Sequence, residues 1–363
     1  VALVPEAVPR LLAAGLEVVV ESGAGRHAYA SDDAYEAAGA QVVDTATALD
    51  ADAVLTVRPL EPAQVVRHLP AGAVTIGFLA PASHLDTVVA LRDREVTAFS
   101  LELLPRISRA QSMDALSSQA LVSGYRAALV AAERLPRFFP LLMTAAGTVR
   151  PATVLVMGAG VAGLQAIATC RRLGAVVEAY DVRAAAAEEV RSLGGSFVEL
   201  GLESQEGAGG YAREAGEDFL QRQRELIGAH VAAADAVITT AAIPGRTAPV
   251  LVTREMVEAM KPGSIIVDLA AESGGNCELS QPGRELWHGD VLVWGAQDVP
   301  SAMAEHASRL YARNVSELLL LMTADGVVRP DFDDEVVTGS CVTHAGQVHH
   351  EPTRALLDPE EDA

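Results

Sequence analysis

Residues 154–183 read VLVMGAGVAGLQAIATCRRLGAVVEAYDVR, and the order of residue types in that stretch decides the fold class. A short apolar run ends at Met157, glycines follow at 158, 160 and 163, a helical pattern begins at once, and a second apolar run closes on Asp181. That order is strand, turn, helix, strand, with G-x-G-x-x-G at the turn and an acid at the end of the next strand. Gly158 permits the tight turn, Gly160 lets a pyrophosphate approach the backbone, and Gly163 lets helix and strand pack closely. The helix start supplies unpaired N–H groups and the positive end of its dipole. Asp181 suits the hydroxyls of an adenine ribose and would repel a 2′-phosphate, which selects NAD(H) over NADP(H). Arg183, two residues on, is a side chain able to accommodate such a phosphate.

The same grammar extends outward in both directions. Beyond Arg183, short apolar runs recur in SFVEL, ADAVITTAAI, GSIIVDLA and DVLVWG; before it they recur in LEVVV, AQVVD, ADAVLTVRP, AVTIGFLAP and EVTAFSLELLP. Short apolar strands alternating with helical sequence predict parallel α/β sheets. Residues 117–133 and 300–323 each read as one helix, leaving and re-entering a first domain. The expected fold is therefore α/β, with two Rossmann-like parallel-sheet domains flanking a cleft and the second inserted into the first. The boundaries are 1–117 with 300–363, and 118–299, with NAD(H) expected in the cleft. No internal repeat of fixed period is expected.

Composition narrows the function classes. The chain has 363 residues, half of them hydrophobic, which fits two domains with sizeable cores and excludes a disordered chain. Lys and Arg number 27 against 48 Asp and Glu, a net charge of −21 that repels phosphate backbones and argues against nucleic acid. No apolar run approaches the roughly 18–20 residues that cross a bilayer, so no direct membrane insertion is expected. Cys170, Cys277 and Cys341 are isolated, which points to a reducing compartment and no zinc site. No signal peptide is read, and the opening VALVPEAV suggests missing upstream residues.

Other stretches are candidates for chemistry. In ELLPRISRAQSMDALSSQA, Arg106, Arg109, Gln111 and Asp114 fall between a strand and a helix, where doubly wound folds meet ligands; Ser112 or Asp114 could equally cap that helix. Residues 201–218 are Gly-rich and acidic around Tyr211 and suggest a lid, while Ile243 to Pro249 follow a strand at its carboxyl edge. His344, His349, His350 and Glu351 carry no metal spacing strong enough to predict a site.

Taken together, RISRAQSMDALSSQA, MGAGVAGLQAIATCRRLGA, DVR, TTAAIPGRTAPVL and DLAAESGGNC resemble the NAD(H)-binding component family of proton-translocating NAD(P) transhydrogenases, over nearly the whole chain. The resemblance implies hydride transfer from NADH directly to NADP+ held on a separate NADP(H)-binding component, coupled to proton movement by a membrane component. It implies a homodimer and a cytoplasmic location, peripheral at the inner face of the membrane through those partners. Residue by residue, Arg106, Gln111, Asp114 and Ser117 match the loop that positions the nicotinamide. Gly158, Gly160, Val161, Ala162 and Gly163 match the pyrophosphate turn, and Asp181, Val182 and Arg183 the adenosine end. Gly210 and Tyr211 match a mobile loop, and Gln223, Ala242 and Ile243 further contacts; at Ala242 the family has a larger Leu.

The wider group includes alanine dehydrogenase, whose Lys and His for a keto acid are matched here by Arg58 and Phe78, leaving Glu272 as a carboxylate at a strand end. An amino-acid dehydrogenase is one alternative and a non-catalytic NAD(H)-binding regulator another. The resemblance also implies one further strand and a basic segment ahead of VALVPEAV, so the chain as given is expected to lack a strand of its first sheet.

Overall fold

A computed structural model describes residues 1–202, 204, 216–242 and 246–357. The chain divides into one unit of Val1–Gln119 with Ala304–Ala363 and another of Ala120–Met303.

Seven strands organise the second unit: β1 (Thr153–Met157), β2 (Val176–Tyr180), β3 (Ser196–Phe197), β4 (Ala236–Thr239), β5 (Ile265–Asp268), β6 (Glu285–His288) and β7 (Val291–Gly295). Their order is β3-β2-β1-β4-β5-β7-β6, parallel throughout except for β6, which pairs antiparallel with β7 at the edge. Helices α1 (Val161–Arg172), α2 (Ala186–Ser192), α3 (Glu217–Ala233) and α4 (Arg254–Glu258) connect them. Alternate residues of β1 serve opposite faces, as a period of two requires. Val154 and Val156 join Ile167 of α1 and Ala127, Ala128 and Ala131 of helix Ala115–Arg134, whereas Leu155 and Met157 join Ile227 and Val231 of α3. Cover on both faces is why the central strands read as unbroken apolar runs.

Strand order reverses between β1 and β4, and register aligns the strand ends there. Met157 pairs with both Tyr180 and Thr239, and Thr239 with Asp268. Gly158, Asp181 and Thr240 therefore leave the sheet side by side, at the crevice where open α/β sheets take ligands. At the amino ends of the same strands, Asp235 accepts from Thr153 N (2.9 Å), Lys261 Nζ (2.9 Å) and Arg137 Nη1. Burial pushes its carboxyl up, but these three donors outweigh burial and hold it below the ordinary value.

In the first unit, Ala53–Leu55, Val74–Gly77 and Thr97–Ser100 pair in parallel, and Val19–Glu21 pairs with Gln41–Val43 in a separate ribbon. The expected α/β class is what the structure shows. Three details differ from the sequence reading. Antiparallel strands Cys341–His344 and Gln347–Val348 complete the five-stranded sheet, turning at Ala345 and Gly346, both at positive φ. Residues 300–323 are not a single helix, because a 3-10 turn at Val299–Met303 precedes helix Ala304–Leu321. The third is one duplicated stretch, which is not a repeat of fixed period and which the reading passed over: LLMTAAGTVRP at 141–151 and LLMTADGVVRP at 320–330 agree at nine of eleven positions.

Both copies form hairpins, in different registers. In the first, Thr144 faces Gly147 across Ala145–Ala146; in the second, Ala324 faces Val327 across Asp325–Gly326. Asp325 and Gly326 stand at φ 51° and 75°, the paired positive values of a type I′ turn that Asp-Gly favours and Ala-Gly does not. The settings also differ: Met322 is 2% exposed in the first unit's core, and Met143 is 78% exposed.

Candidate functional site

Each glycine of the turn after β1 meets a different constraint. Gly158 sits at φ 99°, and a Cβ there would lie 2.6 Å from Thr240 Oγ1. At Gly163 a Cβ would lie 1.9 Å from the Gly158 carbonyl oxygen, so only glycine allows α1 to start this close to β1. Gly160 is the opposite case, since a Cβ there would meet nothing within 4 Å among the described residues. Gly160 is also the N-cap of α1 and offers no side chain to the helix; its carbonyl accepts from Leu164 N at 2.8 Å. The N–H groups of Val161, Ala162 and Gly163 are thus the first-turn donors that a helix cannot satisfy internally. They follow directly on Gly160, and Val161 is exposed. Helix Ala115–Arg134 presses close behind, because a Cβ on Gly124 would lie 2.0 Å from the Ala162 carbonyl oxygen.

Asp181 closes the turn from the side. Its Oδ2 accepts from Ala159 N (2.7 Å) and Arg183 Nη2 (3.0 Å), and its Oδ1 from Arg183 N (2.8 Å) and Nε (2.9 Å). Its side chain is 7% exposed, and Val182 between the two packs against the α3-side core. On α3, Gln223 is 1% exposed and its Oε1 has no hydrogen-bond partner among the described residues. A buried amide oxygen left without a donor costs about 1–3 kcal/mol, a cost that a ligand bearing a donor would remove. A helix start with open space at Gly160 and an orphaned Gln223 oxygen suit a dinucleotide. Ala242 is exposed beyond β4. Gly210, Tyr211 and Ile243 lie outside the described residues, as does most of the stretch read as a lid.

Sequence reasoning missed what shapes the far side of this edge. Asp268, fully buried at the end of β5, accepts from Thr239 Oγ1, Ala270 N, Asn276 N and Cys277 N at 2.9–3.0 Å. Asn276, also fully buried, donates to the carbonyls of Ala241 and Pro249 and accepts from Ala241 N, all within 2.9 Å. This pair fixes where the chain after β4 departs and returns. The only sequence signal was polar residues in the apolar context of IIVDLAAESGGNC.

The loop before helix Ala115–Arg134 belongs to the first unit. Asp114 is the helix N-cap: Oδ1 accepts from Ser117 N (2.9 Å), Oδ2 from Ser117 Oγ (2.6 Å), and its carbonyl from Ser118 N. The capping alternative therefore describes Asp114, and it joins two of the four residues read as one cluster. Ala110 and Met113 are buried beneath the loop, while Arg106 and Gln111 are exposed. Arg109 is committed elsewhere, to both carboxylate oxygens of Asp334, the cap of helix Glu335–Ser340. Asn314 was not foreseen; it donates to the Ser112 carbonyl (2.8 Å) and accepts from Ser118 Oγ (2.7 Å), pinning both ends of the loop to helix Ala304–Leu321.

At the strand ends of the first unit, Phe78 packs on Tyr311 with ring centroids 5.3 Å apart, and the Tyr311 hydroxyl donates to the Thr56 carbonyl at 2.6 Å. Burial raises that hydroxyl far above the ordinary tyrosine value, so it gives up no proton near neutrality. In the second unit Glu272 accepts from Asp298 N (3.0 Å). Among the described residues no cluster of three or more His, Cys, Asp or Glu is placed to hold a metal; His344 and His349 instead pack about Phe332.

Residues 1–123 match the alanine dehydrogenase/PNT N-terminal domain and residues 127–351 the alanine dehydrogenase/PNT C-terminal domain. The first portion of the NAD(P) transhydrogenase alpha subunit of Rhodospirillum rubrum is 48% identical over 361 residues, covering 96% of this chain and 94% of its own length. The alanine dehydrogenase of Bacillus subtilis is 30% identical over 365 residues, 97% of this chain and 89% of that one. The crystal structure of transhydrogenase from Sinorhizobium meliloti superposes with a TM-score of 0.85 at 44% identity, covering 97% of this chain and 95% of that one.

Proposed function

The chain belongs to the alanine dehydrogenase/PNT family, and on that premise we propose that it is the NAD(H)-binding component of NAD(P) transhydrogenase. The observation that carries this reading is the turn after β1, where Gly163 is jammed, Gly160 is open and the first donors of α1 are uncapped. Those donors would hold the pyrophosphate, Asp181 with Val182 and Arg183 the adenosine, and Gln223 and Ala242 would lie beside the nucleotide. Gly210, Tyr211 and Ile243 are assigned to the same site by resemblance.

When bound, NADH supplies a hydride for NADP+ carried on a partner component. The chain's own residues then need no acid or base. Arg106, Gln111, Asp114 and Ser117 would orient the nicotinamide, with Asp114 and Ser117 held by the helix cap and the loop by Asn314. Orientation alone can supply roughly 7–11 kcal/mol of a barrier of this kind. An amino-acid dehydrogenase would in addition need a group to move a substrate proton. Phe78, which carries no proton, occupies one position where that group would stand.

The finer partner assignments are proposals too: an NADP(H)-binding component, a membrane component that moves protons, and a second copy of this chain. No helix among the described residues is long and apolar enough to cross a membrane, so attachment at the inner face would run through those partners. The hairpin at 142–149 is the surface we assign to the second copy. Its Leu141, Met143 and Val149, with Phe138, are exposed, whereas the matching Met322 is buried.

The deciding experiment follows hydride transfer from NADH with and without a purified NADP+-loaded partner domain, beside wells that pair NAD+ with alanine and NADH with pyruvate and ammonium. Transfer that depends on the partner, with silent amino-acid and keto-acid wells, is the expected result. Turnover of alanine with NAD+, or of pyruvate with NADH and ammonium, without the partner would assign the chain to the amino-acid dehydrogenases. NADH binding without transfer anywhere would leave a regulator.

A further inference from the structure

The Asp181 carboxylate offers roughly four acceptor directions, and four N–H groups already fill them. Two come from backbone fixed by the turn, at Ala159 and Arg183. The other two, Nε and Nη2, come from the Arg183 guanidinium lying side-on to the carboxylate at 2.9 and 3.0 Å. The ion pair is largely shielded, with side chains 7% and 19% exposed.

A ribose that offers hydroxyl donors to Asp181 must therefore displace something, and only the guanidinium can leave without unmaking the turn. Once displaced, it remains tethered two residues from the carboxylate, beside the 2′ position that Asp181 reads. A planar guanidinium is well matched to phosphate oxygens. One residue thus competes with the ribose hydroxyls of one dinucleotide and offers a countercharge to the 2′-phosphate of the other.

We propose that Arg183 is a specificity-determining residue: discrimination at the adenosine end is set by the balance of the Asp181–Arg183 pair, with Arg183 weakening the rejection of a 2′-phosphate that Asp181 alone would impose. The proposal rests on the dinucleotide reading above and deepens it. Removing Arg183 frees two acceptor directions for ribose and leaves the carboxylate's charge uncompensated. The preference for an unphosphorylated ribose should then become sharper.

Adenosine-end fragments isolate the effect from the nicotinamide loop. NADH bound to the full chain is displaced by 5′-AMP or by 2′,5′-ADP, its 2′-phosphorylated analogue, and the ratio of the two displacement constants is read by NADH fluorescence. In Arg183→Ala the ratio should widen in favour of 5′-AMP by about tenfold, the equivalent of about 1.4 kcal/mol, with 5′-AMP bound at least as tightly as before. Arg183→Lys, which keeps the charge but not the two-pronged geometry, should move the ratio the same way by less, and it serves if the alanine variant does not fold. Asp181→Asn should narrow the ratio, and adding Arg183→Ala to it should remove the gained 2′,5′-ADP binding.

An unchanged ratio in Arg183→Ala, or equal weakening of both fragments, overturns the proposal and leaves the dinucleotide reading standing. Failure of the wild-type chain to bind NADH or 5′-AMP overturns both. A merely structural Arg183 would lower the melting temperature without moving the ratio.

Discussion

A methyl group added at Gly163 would sit 1.9 Å from the Gly158 carbonyl, whereas one at Gly160 meets nothing within 4 Å among the described residues. The same substitution at these two positions should therefore separate folding from binding. Gly163→Ala forces α1 away from β1 and should destabilise the second unit by about 1–3 kcal/mol, seen as a lower thermal midpoint. Gly160→Ala should change the midpoint little and weaken NADH by about tenfold or more, because the methyl takes space the pyrophosphate needs; unchanged NADH affinity would contradict that placement. Asp235 allows a pH test. Its folded-state value is held below 3.8, so its contribution is fully present above that value and is lost as pH falls through the folded one. Asp235→Asn should cost about 1–3 kcal/mol at neutral pH, and urea midpoints of variant and wild type should converge on acidification below about pH 4.

Among the elements, the cap of helix Ala115–Arg134 gives the sharpest test, because Asp114 is both cap and proposed nicotinamide-positioning residue. Asparagine caps about as well as aspartate, while alanine costs about 1 kcal/mol. Asp114→Asn should thus keep the melting temperature while slowing partner-dependent transfer, and Asp114→Ala should lower both; full transfer in the asparagine variant would leave Asp114 a cap alone. Strands such as Ile265–Asp268 were legible because burial on both faces demands an uninterrupted apolar run, and the turn at 158–163 because its glycines follow one directly. Cys341–His344 was not legible: half polar, it pairs with Thr97–Ser100 from more than 240 residues away. Asp268 and Asn276 were invisible as a pair for a similar reason. Their partners at 239, 241, 249, 270 and 277 converge only once β4 and β5 are side by side.

At the scale of the whole molecule, charge and apolar surface work against each other. A net charge of −21 makes two copies repel, yet no acid occurs between Glu133 and Glu178, the stretch that carries the exposed hairpin. Self-association through that hairpin should tighten with added salt, which screens charges beyond about 10 Å at 0.1 M. Replacing Leu141 and Met143 by Ser should shift the sedimentation velocity profile towards monomer; a dimer unmoved by both changes would place the contact elsewhere. The twin hairpins have a separate use. Residues 141–151 and 320–330 share nine residues in the same order, so their intrinsic rates of amide exchange are nearly matched. Differences in deuterium uptake between the two peptides would then report surroundings with composition held almost constant, and the loss of such a difference in an assembled complex would locate where that assembly forms. The molecule carries its own internal reference for that measurement.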